Sequence, residues 1–170
     1  MSGMALSIEE RLDRLDAIEE IRTLIAKYAL GGDRNNDPDI LGPLFTDNAV
    51  WSADGFGRLE GKKDIIEGLS RIADEKILWS LHFPAAPIVE FSAGMTEATA
   101  FWWLWEISKM RLEEGCEESN FMGGTYQADL VKTGNEWKFS KVHLNLETVT
   151  PFRDGWNLIG ERKRSSNDAG

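Results

Sequence analysis

Acid–base chemistry in this chain has few possible carriers, because it contains only two histidines and two tyrosines. His82 lies in the apolar run Leu78-Trp79-Ser80-Leu81-His82-Phe83-Pro84. An imidazole buried there needs a partner for at least one ring nitrogen. With a carboxylate on one nitrogen, the other becomes a better base near neutral pH, because the imidazolium is stabilised as it forms. The structural alternative is a core histidine bonded to backbone. Tyr28 ends an apolar helical stripe, and Asp33 follows five positions later, just past Gly31-Gly32. The macrodipole disfavours a carboxylate at a helix C-terminus, so Asp33 needs a turn bond or a cationic partner. Otherwise Asp33-Arg34-Asn35-Asn36-Asp37 is a hydrophilic turn, and Tyr28 is a core residue with its hydroxyl at the rim.

His143, between Val142 and Leu144, is a second imidazole, but no acid pairs with it in the sequence, and a structural role is the simpler reading. Gly123-Gly124-Thr125-Tyr126 reads as a bulge or a close backbone approach within a strand. It is no phosphate loop, since no lysine-serine follows and no helix opens there. Two histidines and a single cysteine, Cys116, without tight ligand spacing, point away from a transition-metal site. There is no Gly-x-Ser-x-Gly elbow and no dinucleotide fingerprint. The expectation is chemistry without a cofactor.

The elements that must position these groups follow from periodicity. Ser7 and Glu10 form a capping box. Ile8, Leu12, Leu15, Ile18, Ile21, Ile25 and Tyr28 then recur at helical spacing, with Gly31-Gly32 as the expected stop. Asp37-Pro38 restarts a short helix to about Leu44. Thr46-Asp47-Asn48 reads as a turn into a strand around Ala49 to Trp51. Gly55, Gly57 and Gly61 mark a hairpin, and a third helix runs from about Lys62 to Ile72. From Ile77 the pattern is β. Ile77 to Phe83 and Ile88 to Phe91 are separated by Pro84 and Pro87, which mark a bend or an edge. Thr96 to Met110 is a long strand, followed by a loop at Glu113 to Ser119 and a strand from Asn120 to Lys132. A hairpin at Thr133-Gly134-Asn135-Glu136 leads into a last strand from Trp137 to Thr150. Helices first and hairpin-linked strands afterwards mean α+β with a mainly antiparallel sheet. Residues 1–156 form one domain in this reading, and 157–170 a polar, disordered tail. Phe101, Trp103 and Trp105 alternate with Trp102 and Leu104, so both faces of that strand carry bulk. Helices on one face and another subunit on the other would account for it.

A length of 170 residues, 42% hydrophobic and 28% charged, is that of an ordinary globular domain. Nineteen basic against twenty-nine acidic residues give a net charge of −10, which repels a phosphate backbone and makes nucleic acid a poor partner. No stretch reaches the roughly 18–20 apolar residues of a membrane helix, and the start has no secretory pattern. A lone cysteine agrees with a reducing cytoplasm.

From Ile8 to Thr150 the order of elements resembles the SnoaL-like branch of the nuclear-transport-factor-2-like, or cystatin-like, cone. Gly123-Gly124-Thr125-Tyr126 with Trp137-Lys138-Phe139-Ser140-Lys141 is similar to the corresponding strand pair of hexachlorocyclohexane dehydrochlorinase. Tyr28, Asp33 and His82 match the order and approximate spacing of the acting Tyr, Asp and His of bile-acid 7α-dehydratase, and scytalone dehydratase is similar in plan. The dehydrochlorinase has a lysine at the Tyr28 position, so this chain leans toward the dehydratase pattern. Both relatives place an arginine in the last strand. Here those positions fall on Val142 and near Leu146, leaving His143 or Asn145 as a replacement polar group.

The resemblance implies three N-terminal helices on a curved, mixed but mainly antiparallel sheet, with the first helix and the His82 strand on opposite walls of an apolar cavity. In it His82, oriented by Asp33, would remove a proton next to a carbonyl, and Tyr28 would donate to the enolate or to a departing hydroxyl. The implied activity is a cofactor-independent lyase or isomerase on a hydrophobic cyclic substrate, steroidal or polycyclic aromatic. Trp51, Phe56, Trp79, Trp103, Tyr126 and His143 are the expected substrate contacts, with Phe83, Trp102 and Trp105 as further wall candidates of which strand parity admits about half. The implied assembly is a homo-oligomer, a trimer or a dimer. Two rivals share the fold: a non-catalytic small-molecule binding module, and the structural β subunit of a ring-hydroxylating dioxygenase.

Overall fold

The structure is a computed structural model that describes residues 6–112 and 116–154. The expected tail, 157–170, and three positions of the loop at Glu113 to Ser119 lie outside the described residues.

Helix α1 (Ile8–Asp33) begins with the capping box: Glu10 N donates to Ser7 Oγ at 3.1 Å, and Ser7 N donates to Glu10 Oε2 at 2.7 Å. Its C-terminal half buries Ala17, Ile21, Leu24, Ile25 and Tyr28, whereas Ile8, Leu12 and Leu15 on the first turns stay exposed. The expected glycine stop is corrected here. The helix runs through Gly31 and Gly32 to Asp33, and the left-handed residues that turn the chain are Asn35 (φ 57°) and Asn36 (φ 54°). The two glycines are there for clearance. A Cβ on Gly31 would collide with Leu41, and one on Gly32 would stand 2.8 Å from Cε1 of His82.

Asp37 caps α2 (Pro38–Leu41), its carboxylate accepting from Asp39 N at 2.9 Å. A 3-10 turn, Gly42–Leu44, leads into β1 (Phe45–Ala53). The strand includes Thr46, Asp47 and Asn48, expected as a turn; its pairing shifts register between Phe45 and Val50, which absorbs the polar run without breaking the ladder. The hairpin to β2 (Gly57–Glu60) and helix α3 (Lys62–Glu75) follow. The four long strands are β3 (Ile77–Phe91), β4 (Glu97–Arg111), β5 (Glu117–Thr133) and β6 (Glu136–Pro151). The sheet order is β2-β1-β6-β5-β4-β3, with β1 and β6 parallel and the other pairs antiparallel.

β3 is one strand where two were expected. Pro84 stays paired opposite Leu104, and the irregularity falls between Ala85 and Ile88, with Ala86 at φ 47°. As β3 lies at the sheet edge, its prolines withhold N–H groups that no neighbour needs. Helices pack against one face, where Ile21, Ile25, Phe45, Trp102 and Phe139 are essentially fully buried. The Tyr28 ring meets Phe45, Tyr126 and Phe139 edge-on at 6.1, 5.8 and 5.6 Å, and Trp102 stacks on Tyr126 at 4.9 Å.

Alternation is strict along β4: Ala98, Ala100, Trp102, Leu104, Glu106 and Ser108 point into the helix-covered side. Trp103 and Trp105 point to the other side and are exposed, as are Trp79, Phe83 and Ile88 of β3. No helix of the described residues is long and apolar enough to cross a membrane.

Candidate active site

The last turn of α1 delivers Asp33 to β3. One carboxylate oxygen, Asp33 Oδ1, accepts the backbone N–H of His82 at 2.8 Å and lies 2.8 Å from its Nδ1. A carboxylate only accepts, so Nδ1 carries the hydrogen on that side. Two bonds from one residue to one oxygen fix both the strand and the ring, and they offset the unfavourable dipole at this helix end. The bare backbone of Gly32 lets the imidazole lie against the helix, and Ser80 Oγ reaches the Gly32 carbonyl at 3.4 Å.

The other ring nitrogen, His82 Nε2, faces Glu106 Oε2 at 3.3 Å. Glu106 is the cross-strand partner of His82 on β4 and is only 2% exposed. Its second oxygen, Oε1, is buried without a hydrogen-bond partner among the described residues. Burial alone would push the His82 pKa down, but the Asp33 hydrogen bond and the Glu106 and Asp33 charges outweigh it and hold the pKa above its ordinary value. Burial, reinforced by the Asp33 charge and opposed by His82, raises that of Glu106.

Tyr28 completes the polar wall. Trp51 Nε1 donates to the Tyr28 hydroxyl at 2.7 Å, and the Tyr126 ring stands edge-on to Tyr28 at 5.8 Å. Burial pushes Tyr28 up to about 12 and raises Tyr126 well above its usual value. Both phenols therefore keep their protons at neutral pH and can serve as donors.

Tyr28, His82, Glu106 and Tyr126 line one cavity with Trp51, Phe56, Leu69, Ile72, Met122 and Leu144. The space open to the centre of a water-sized sphere is about 60 Å³. One water needs about 10–15 Å³ by that measure, so the cavity fits a few waters or a small ring.

The structure thus brings Tyr28 and His82 to one cavity, with Trp51, Phe56 and Tyr126 on its wall, and places Asp33 outside the lining, against the Nδ1 side of His82. It does not bring Trp79, Trp103 or His143 there. Strand parity turns Trp79 and Trp103 to the outer face, where they are 47% and 46% exposed, together with Phe83 and Trp105. Trp102 points inward but does not line the cavity. His143 alternates outward between buried Val142 and Leu144, and its Nδ1 meets Ser52 Oγ at 2.9 Å on the far side of the sheet. Asn145 is likewise exposed. Neither stands in for the missing arginine. The polar group missed by sequence reasoning is Glu106, and the signal was its parity with Trp102 and Leu104. Among the described residues no three His, Cys, Asp or Glu side chains converge closely enough to hold a metal ion. Asp33 and Glu106 bracket the two ring nitrogens of His82.

Residues 13–143 match the SnoaL-like domain. No curated protein sequence matches the chain. Among solved structures, it is similar to a hexachlorocyclohexane dehydrochlorinase, LinA-type3 of Novosphingobium barchaimii LL02, at 19% identity and a TM-score of 0.75, covering 89% of this chain and 99% of that one. A proposed scytalone dehydratase of Novosphingobium aromaticivorans DSM 12444 gives 23%, a TM-score of 0.70, and coverage of 87% and 96%. A nuclear-transport-factor-2-like superfamily protein of Salmonella enterica serovar Typhimurium LT2 gives 18%, 0.69, and 84% and 99%. At these identities the likeness is one of fold: the α+β architecture of the cystatin-like, nuclear-transport-factor-2-like group.

Proposed function

This chain belongs to the SnoaL-like domain family, and from that premise we propose that it is a cofactor-independent lyase or isomerase of the dehydratase kind. The observation that carries the proposal is Asp33 Oδ1 holding both the backbone and the Nδ1 of His82 at the wall of an apolar cavity. Fixed in this way, the imidazole presents Nε2 to the interior, where it removes a proton from a carbon next to a carbonyl. Asp33 stabilises the imidazolium that forms. General-base catalysis of this kind contributes about 10²–10⁴-fold.

Tyr28 meets the charge that develops on the carbonyl oxygen. Its oxygen already accepts from Trp51, which leaves its own O–H to point at the substrate. A preorganised donor at an oxyanion contributes about 10²–10³-fold, and exclusion of water from the cavity strengthens each of these interactions. The apolar walls select a hydrophobic cyclic substrate. The space present favours a single ring over a steroid or an extended polycycle.

The test is a panel of single-ring and fused-ring β-hydroxy ketones, followed by growth of enone absorbance and loss of water in the mass spectrum. We expect turnover by the wild type on the smaller members and none by His82→Ala with an unchanged circular-dichroism spectrum. Turnover surviving in His82→Ala overturns the assignment.

The outer face of β3 and β4 supports a second reading of this protein, about its assembly. Trp79, Phe83, Ile88, Trp103 and Trp105 together expose a contiguous apolar surface of a kind that subunit contacts cover, and we infer that copies of this chain associate through it.

A further inference from the structure

We propose that Glu106 and His82 form a proton-sharing pair in which Glu106 is the acid that protonates the departing hydroxyl, so that the elimination is syn. This rests on the dehydratase reading above. Three observations carry it. Glu106 Oε2 stands 3.3 Å from His82 Nε2, the very nitrogen that must act as base. Glu106 is 2% exposed, so solvent does not supply its proton directly. Its Oε1 is buried on the cavity wall without a partner among the described residues, which leaves an oxygen free for a ligand. A buried acceptor left unmade is expensive, and its retention beside a base is explained by use.

The groups that face the pair are few. Asp33 and Tyr28 come from α1, Tyr126 from β5, and the α3 side contributes only apolar Leu69, Ile72 and Ala73. Among the described residues Asp33 is thus the one other charge at the site, and it already belongs to Nδ1. In the resting site a single proton lies between Glu106 and Nε2, on the carboxyl in the reactive form.

The cycle then closes without solvent. Nε2 takes the proton from the substrate carbon, and the C–H electron pair becomes the C=C π bond. The C–O bond breaks, its electron pair leaves with the oxygen, and that oxygen takes the proton of Glu106 and departs as water. The enzyme now holds imidazolium and carboxylate, and the proton crosses from Nε2 to Glu106 to restore the starting state. Base and acid atoms 3.3 Å apart reach the same face of the substrate, hence the syn course. Tyr28 is left for the carbonyl oxygen alone.

The first measurement needs no substrate. With two histidines in the chain, His143→Gln assigns the imidazole resonances in a ¹⁵N NMR titration. In Glu106→Gln the His82 midpoint moves down, because a neighbouring negative charge is removed. Glu106→Asp, which keeps the charge but withdraws it by one methylene, falls between. An unmoved His82 midpoint in a folded Glu106→Gln overturns the proton sharing.

The second measurement uses whichever β-hydroxy ketone the wild type dehydrates. Glu106→Gln loses about 100-fold or more in kcat together with the alkaline limb of the pH–rate profile, and stereospecifically deuterated substrate loses hydrogen and hydroxyl from one face. A retained alkaline limb or an anti loss overturns the acid role. If the wild type dehydrates nothing in the panel, the dehydratase reading fails and the acid role with it, whereas the proton sharing is still decided by the NMR titration.

Discussion

Strands β3 and β4 have two faces of opposite and unexpected character. The face turned to the helices carries His82, Glu106, Ser80 and Ser108 among its buried or half-buried residues, and the face turned to solvent carries Trp79, Phe83, Trp103 and Trp105. Trp102 and Leu104 keep the inner face of β4 apolar in part, but the polar groups beside them and the indoles outside depart from the ordinary partition of a sheet. Burying a carboxyl oxygen without a hydrogen-bond partner costs about 1–3 kcal/mol, and exposing a large apolar patch invites association. On the reading proposed above, the inner face is a reaction site and the outer face a contact between copies.

The largest effect comes from attacking the inner face at Asp33. In Asp33→Asn the amide can donate to Nδ1 and so stabilise the tautomer with its hydrogen on Nε2, which is the wrong one for a base. We expect kcat to fall about 10³- to 10⁴-fold with the fold intact by circular dichroism. Activity within tenfold of wild type would reduce the inner face to a satisfied polar core.

The outer face is tested by Trp103→Glu with Trp105→Glu. Neither side chain lines the cavity, so the expected outcome is a smaller sedimenting species with the His82 titration unchanged. A wild type that already sediments as a monomer removes the contact from the comparison.

The two faces were unequally legible in the sequence. The helices, the hairpins and the sheet class could be read because capping residues, glycine turns and period-two runs are local signals. Tyr28 and His82 stood out because the chain holds few titratable rings, and Asp33 through its place just past the first helix and the family resemblance. Glu106 was passed over, since Phe101, Trp103 and Trp105 on one side and Trp102 and Leu104 on the other both carry bulk, and parity alone does not name the inner face. The same ambiguity placed Trp79 and Trp103 in the cavity. Gly31-Gly32 misled for another reason: glycine as helix stop and glycine as clearance for a side chain 50 residues away look alike until His82 is seen against the helix.

That clearance gives the next test. Gly32→Ala favours the helix by up to about 1 kcal/mol but sets a methyl 2.8 Å from Cε1 of an imidazole pinned by Asp33. We expect thermal stability to hold while turnover falls roughly ten- to a hundred-fold through misplacement of Nε2. Equal activity would mean that the ring is free to move, contrary to a fixed base.

The inner pair also leaves a pH signature in stability. The folded pKa of Glu106 is raised above the free value of 4.5, so its contribution is full below that value and is lost as pH rises through the folded pKa. The raised His82 pKa has the same sign: full contribution below about 6.5, lost as pH rises through its folded value. Glu106→Gln, which keeps a neutral side chain throughout, should therefore gain on wild type in urea unfolding as pH is raised. A constant gap from acid to mildly alkaline pH would show that Glu106 ionises as freely folded as unfolded.

The smallest effect is expected from the second histidine, which makes it the sharpest control on the comparison. His143 also sits on a strand and also has a hydrogen-bonding partner, Ser52 Oγ at 2.9 Å. What it lacks is a place on the cavity wall, because β6 turns Leu144 and not His143 inward. Removing one such hydrogen bond costs about 0.5–1.5 kcal/mol. His143→Gln should thus lower the unfolding free energy by no more than that and leave kcat and its pH profile where they were. If turnover instead fell as far as in Asp33→Asn, the outer side of the sheet would be chemically active, and the division between a reacting face and a contacting face would be wrong.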